Sequence, residues 1–239
     1  MDTTPSAVGK KRILWGRQIN WGRVTLVVLA VLVLYTAVDL FWPFHRNLRQ
    51  FDPKSTAKLE AKMWRSYYAN ESTELFLQVA ELLRAQFGFP LLRSYRAAYF
   101  AARAALIFKD GRNRNDYVQA LPALQSYFGA IKRIGTIGFN VQRVARAELE
   151  WWIVHRERDR NPPGALQRTC AEVAAAMYQV SPDSTMEYGR LRAAAMIIRD
   201  ARSAAGTVSE KDWMLIESLL QGSYESLQRV VNRSTGGGS

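Results

Sequence analysis

Glu148 and His155 stand seven residues apart in RAELEWWIVHRER, Arg146 to Arg158. At about 100° per residue of an α-helix, both fall on one side with Val141, Val144, Ala145, Trp151 and Trp152. Gln142, Arg143, Arg146, Glu150 and Glu157 gather opposite. A carboxylate and an imidazole on an apolar face are groups that bind metals, exchange protons or form buried ion pairs. Two other stretches repeat the pattern. In KLEAKMWRSYY, Glu60 lies between Met63, Trp64 and Tyr67 on the wheel. In DSTMEYGRLRAAAMIIRDA, the side carrying Ala194, Ile197, Ile198 and Ala201 also carries Glu187 and Arg190. Glu74, Glu81, Glu150 and Glu172 fall opposite their apolar faces, so the inward acids are a subset.

An isolated carboxylate costs several kcal/mol or more to bury, so each inward acid must be neutralised, paired or bound to metal. Pairing gives a network of Glu60, Glu148 and Glu187 with His155, Arg190 and either Arg96 or Arg103. Alternatively the same groups line a polar ligand pocket, with Tyr67, Tyr95 and Tyr99 supplying hydroxyls. The third outcome is a metal site. Carboxylate and histidine ligands converging from bundle helices resemble the non-haem di-iron carboxylate proteins, both ferritin-like and haem-oxygenase-like. That resemblance implies Glu60, Glu148, His155 and Glu187 as ligands of two iron or manganese ions. The chain has no Glu-x-x-His pair, and its only other histidine, His45, lies beside an apolar segment. Glu148 and His155 are also two turns, about 10 Å, apart along their helix. A paired network or pocket, without cofactor, is therefore the preferred reading.

The elements that carry these groups are helical. Asp52 before Pro53, Asn70, Pro90, Asn115, Asn140, Ser181 before Pro182, and Ser209 mark helix starts. Gly88, the turn KDG, Gly135, NPPG and Gly206 mark the stops. The predicted fold is all-α, an irregular bundle of about eight helices over residues 44–232. In the helix from Pro90 to about Phe108, Ala98, Ala102 and Ala105 follow the line of Tyr95, Tyr99 and Leu106, which predicts a central, closely packed element. GRNRNDYVQALPALQSYFGAIKRI resembles the second helix of a tetratricopeptide repeat, with DYVQAL in the expected place. That resemblance implies the alternative of a stack of helical hairpins, although the helix starts show no period of 34 residues.

Ahead of the bundle, Val24 to Val38 runs uncharged for fifteen residues, and Trp21 and Trp42 bracket the apolar stretch. Such a helix spans a bilayer's hydrocarbon core, about 30 Å, with tryptophan at both interfaces. The organisation read is a basic tail (1–23), a single-pass anchor (24–43), the helical domain (44–232) and a flexible tail or cloning scar (233–239). The apolar run lacks a small-x-small cleavage site, so a retained signal-anchor is preferred to a cleaved signal peptide. Lys10, Lys11, Arg12, Arg17 and Arg23 precede it, against Arg46, Arg49, Lys54 and Lys58 after it. This excess of one points to an inside amino terminus and an extracytoplasmic domain.

The net charge of +12 is spread along the chain, which suits anionic lipid headgroups or an acidic protein partner. No nucleic-acid motif accompanies it, and the aromatics follow core periodicity. The single cysteine, Cys170, excludes an intrachain disulfide and a cysteine-based zinc site. Nucleophile-elbow, phosphate-loop and dinucleotide fingerprints are absent. The expectation is a non-enzymatic accessory or scaffold subunit of a membrane protein assembly, docking through Trp42 to Phe51. The alternative is a tethered di-iron enzyme.

Overall fold

A computed structural model describes residues 20–233. Lys10, Lys11, Arg12 and Arg17 of the basic tail, and the terminal STGGGS, lie outside the described residues. Among the described residues all regular structure is helical, and the one extended contact is an isolated parallel bridge between Arg46 and Gly135. The chain forms two compact units that divide between Val38 and Asp39.

The first unit holds most of α1 (Trp21–Phe41). At 1.5 Å per residue its 21 residues extend about 31 Å. Its leucines and valines are exposed all round, and only Asp39 is buried. An exposed apolar helix of this length has the form of a membrane anchor or a signal sequence.

The second unit comprises α2 (Pro53–Ala69), α3 (Ser72–Phe87), α4 (Leu91–Asp110), α5 (Arg114–Val118), α6 (Leu121–Ile134), α7 (Val141–Arg156), α8 (Ala165–Tyr178), α9 (Met186–Ala204) and α10 (Glu210–Arg233). Short 3₁₀ turns cover Arg158–Arg160 and Pro182–Thr185. The start signals act through side chains that accept from otherwise unpaired amides. Asp52 accepts from Ser55 N at 2.7 Å, and Asn140 from Arg143 N at 2.9 Å. Ser209 and Asp212 bond reciprocally at the start of α10.

Two expected boundaries differ. Asn70 ends α2 in the left-handed conformation (φ 59°) instead of capping α3, because its short polar side chain tolerates that backbone. The single helix expected from Asn115 is split into α5 and α6. Pro122 lacks an N–H and is accommodated only in the first turn of a helix, so the chain restarts there; Asn113 caps the short piece before it.

Each long helix packs chiefly on its neighbours in the sequence α2, α3, α4, α6, α7, α8, α9, α10, and α10 returns to pack along α2. That closure makes an irregular bundle rather than an open hairpin stack, whose first and last helices would remain apart. Arg65 of α2 reinforces it with a bidentate pair to Glu210 and by covering Trp213. α8 and α9 approach so closely at Gly189 that a Cβ there would lie 2.1 Å from the Gln167 carbonyl oxygen.

The segment after α1 is part of the core. Arg46 N donates to Ile134 O, Thr136 N donates to Arg46 O, and Leu48 and Phe51 are buried. Leu48 fills the space where a Cβ on Gly135 would stand. Within the stretch Trp42 to Phe51, Leu48 and Phe51 are therefore consumed in folding the domain, while Trp42 stays exposed.

Candidate functional site

Glu60 is held on α2 among Thr56, Ala57, Ala61 and Trp64, and is 2% exposed. Its carboxylate meets Arg192 of α9 in a two-pronged pair, with Nη1 donating to Oε2 at 2.8 Å and Nη2 to Oε1 at 2.5 Å. Tyr224 of α10 donates its hydroxyl to Oε2 at 2.6 Å. Three helices thus meet at one carboxylate. The Arg192 guanidinium also lies 5.7–5.9 Å from the ring centres of Trp151, Trp64 and Tyr188, within range of cation–π attraction. Burial works against the charge on Arg192, but Glu60 overrides it and holds the guanidinium protonated. Burial, and then the neighbouring Glu60 carboxylate, raise the Tyr224 phenol well above its ordinary range, so it remains a donor.

Glu148 of α7 lies half-buried beside this network. Trp152 Nε1 donates to its Oε1 at 3.0 Å. Burial raises the Glu148 pKa, opposed by the Trp151 and Trp152 indoles and by Arg192. Burial likewise raises the phenols of Tyr127 and Tyr188, and pushes the Cys170 thiol up to about 12. Cys170 is consequently a neutral, buried apolar group at physiological pH.

His155 belongs to a second cluster. Its Nε2 is 2.9 Å from Asp200 Oδ2 on α9, and Asp200 also accepts from Arg158 at 3.2 Å and Arg199 at 2.9 Å. Burial would raise the Asp200 pKa, but His155 and Arg199 outweigh it and hold the carboxyl below its ordinary value.

The other five expected members stand elsewhere. Glu187 and Arg190 are exposed and bond to each other at 2.7 Å, one turn apart on the solvent side of α9. Tyr99 is on the surface. Tyr67 is also exposed, edge-on to Tyr68, while Tyr95 stacks on Phe76. Neither Arg96 nor Arg103 pairs with Glu60 or Glu148.

The reason is a half-turn error in the choice of face. The Ala194/Ile197/Ile198 side of α9 looks apolar, but its buried side carries Gly189, Ala193 and Met196 together with Arg192. Arg192 and Arg199 disguise that side as polar in the sequence, because their carboxylate partners lie on other helices or off the apolar pattern. Arg192, Asp200 and Tyr188 were missed for this reason, whereas Tyr127 of α6 and Tyr224 of α10 reach the network only through the packing of other helices. The local signal available for Arg192 was its four-residue spacing from Tyr188 and Met196 on one helix face.

The groups expected to ligate metal do not converge. Glu60 is engaged by Arg192 and Tyr224, Glu148 by Trp152, His155 by Asp200 and Glu187 by Arg190. Among the described residues no three His, Cys, Asp or Glu side chains come together to hold an ion. In this arrangement the four residues of the di-iron alternative each face a different partner and share no common centre.

On α4 the expected line is only partly in the core. The buried side of this helix is Ser94, Ala97, Ala98, Ala104 and Phe108. Ala98 of that line is buried and Tyr95 packs against the core, but Tyr99 is 55% and Leu106 59% exposed. Tyr99, Ala102, Arg103, Leu106, Ile107 and Asp110 line a shallow depression of about 340 Å³ there. Against known proteins, the chain matches no family model, no curated protein and no solved structure.

Proposed function

We propose that this protein is a membrane-tethered helical scaffold, an accessory subunit of a membrane protein assembly. Its α1 is a retained single-pass anchor, with the amino terminus inside and residues 44–232 forming an extracytoplasmic domain. The orientation is supported by the five basic residues before the apolar run against four after it. The interior acids support a structural role for the polar network, because Glu60 and Asp200 have their oxygens taken by partners within the domain.

The observation that carries the reading is the uncovered stripe of α4. Tyr99, Ala102 and Leu106 recur at helical spacing, are flanked by Arg103 and Asp110, and among the described residues have no helix packed over them. An exposed apolar face with a charged rim is the composition of a protein interface. A membrane protein partner of the same bilayer suits a domain tethered beside it.

The test is mild detergent extraction of the tagged full chain followed by affinity capture and mass determination. The expected result is a stoichiometric membrane protein partner that Leu106→Asp releases while the circular dichroism spectrum is unchanged. A monodisperse monomer, or a partner retained in full by Leu106→Asp, would sink this reading.

A further inference from the structure

A cavity of about 290 Å³ opens where the chain leaves α1. Arg93 and Arg96, one turn apart on α4, and Arg133 of α6 bring three guanidinium groups to it. Phe41, Phe89 and Ile134 supply apolar wall, and Trp42 stands at the edge, 61% exposed. Among the described residues no carboxylate lines this cavity, and nearby Asp39 is already engaged. It accepts from Leu92 N at 3.1 Å and Arg93 N at 3.2 Å and so covers the α4 amino terminus.

Arg93 is held in place before any ligand arrives. Its Nη2 donates to the Trp42 carbonyl at 2.6 Å, and its guanidinium lies 5.1 Å from the Phe44 ring centre. Its Nε is buried and has no partner. Among the described residues Arg96 and Arg133 form no ion pair, although both line this cavity. Three cations beside one internally satisfied carboxylate leave an anion-selective site. Guanidinium groups match phosphate oxygens in shape as well as charge.

We infer that this cavity binds the phosphate headgroup of an anionic lipid from the bilayer that holds α1. The inference rests on the reading of α1 as a membrane anchor. Leu40 to Pro43, which form one wall of the cavity, lie at the end of the apolar helix, and Trp42 marks headgroup depth, where tryptophan partitions. A lipid phosphate there meets Arg93, Arg96 and Arg133, and the upper part of its acyl chains lies along the exposed Phe41 and Trp42.

The full chain is reconstituted in nanodiscs of equimolar phosphatidylcholine and phosphatidylglycerol, then released and weighed by native mass spectrometry. The expected result is retained phosphatidylglycerol in at least about tenfold excess over phosphatidylcholine, the discrimination given by 1.4 kcal/mol. Arg96→Gln/Arg133→Gln, which leaves the Arg93–Trp42 contact intact, should bring that ratio down toward one. Arg143→Gln/Arg146→Gln, which removes equal charge from an exposed stretch of α7, should not. Inorganic phosphate in the release buffer should leave the lipid bound.

Equal retention of the two lipids by the unaltered chain, or unchanged selectivity in Arg96→Gln/Arg133→Gln, would overturn the inference. Displacement of the lipid by inorganic phosphate would overturn the assignment to lipid. Alkaline carbonate extraction of vesicles separates the underlying reading. A chain released by carbonate refutes the anchor, whereas an embedded chain without lipid preference refutes only the headgroup site.

Discussion

Removing one partner of the Glu60–Arg192 pair should be among the most damaging single changes in the domain. The pair is almost fully enclosed, with side-chain exposures of 2% for Glu60 and 13% for Arg192. Glu60→Gln strands a buried guanidinium, and Arg192→Met strands a buried carboxylate. Either loss costs about 3–5 kcal/mol when a buried ion pair is broken from one side. For a domain of this size, about 2–4 °C of unfolding midpoint accompanies each kcal/mol, so each single variant should melt about 6–20 °C lower. The double variant behaves differently. It buries no unpaired charge, and the amide oxygen that replaces the carboxylate still accepts the Tyr224 hydroxyl. Its loss should fall well short of the sum of the singles, with the shortfall measuring the coupling. The assay is thermal unfolding of the full chain in detergent micelles at pH 7, followed by circular dichroism. Single variants within about 1 kcal/mol of the parent, or losses that simply add in the double variant, would refute the argument that this pair joins α2 to α9.

Glu148→Gln should raise stability at pH 7 and leave it unchanged below about pH 4. A carboxyl whose folded pKa is raised stabilises the fold while protonated, and that contribution is lost as pH rises from the ordinary glutamate value, about 4.3, through the raised one. Unfolding midpoints from pH 4 to 8 test it; an unaltered slope in the variant would count against burial of Glu148. Asp200→Asn should do the opposite. Its depressed folded pKa gives stability that is present above about pH 4 and disappears as pH falls through the folded value, so the variant should lose about 2 kcal/mol at pH 7 and converge with the parent in acid. Equal losses at pH 7 and in strong acid would show that packing, not charge, is responsible. Gly189→Val should destabilise by about 3 kcal/mol or more, because its Cβ alone would enter the Gln167 carbonyl and force α8 and α9 apart. A soluble variant with the parent's melting midpoint would contradict that contact.

The sequence by itself determined the class of fold, because helix periodicity and capping are local. Asp52 and Asn140 start their helices through bonds to amides three residues away, and no distant partner is needed. The apolar character of α1 is legible for the same reason, because Val24 to Val38 runs without a charge. Glu60 was also readable, since apolar neighbours on its own helix place it inside.

Only the tertiary structure decided which face of α4 and α9 is buried. Alanine-rich helices offer two faces of similar apolarity, and the choice depends on what the neighbouring helices present. On α9 the buried side contains Arg192, which is affordable only because Glu60 lies 132 positions earlier in the chain and Tyr224 32 positions later. A charge pattern on one helix cannot register a neutralising partner on another. The same non-local packing left Glu187 and Arg190 in solvent and turned Tyr99 and Leu106 outward. It also gathered Arg93, Arg96 and Arg133 beside residues 40–43. The physical reason is common to all of them: a helix fixes which residues share a side, and the surrounding helices decide what that side meets.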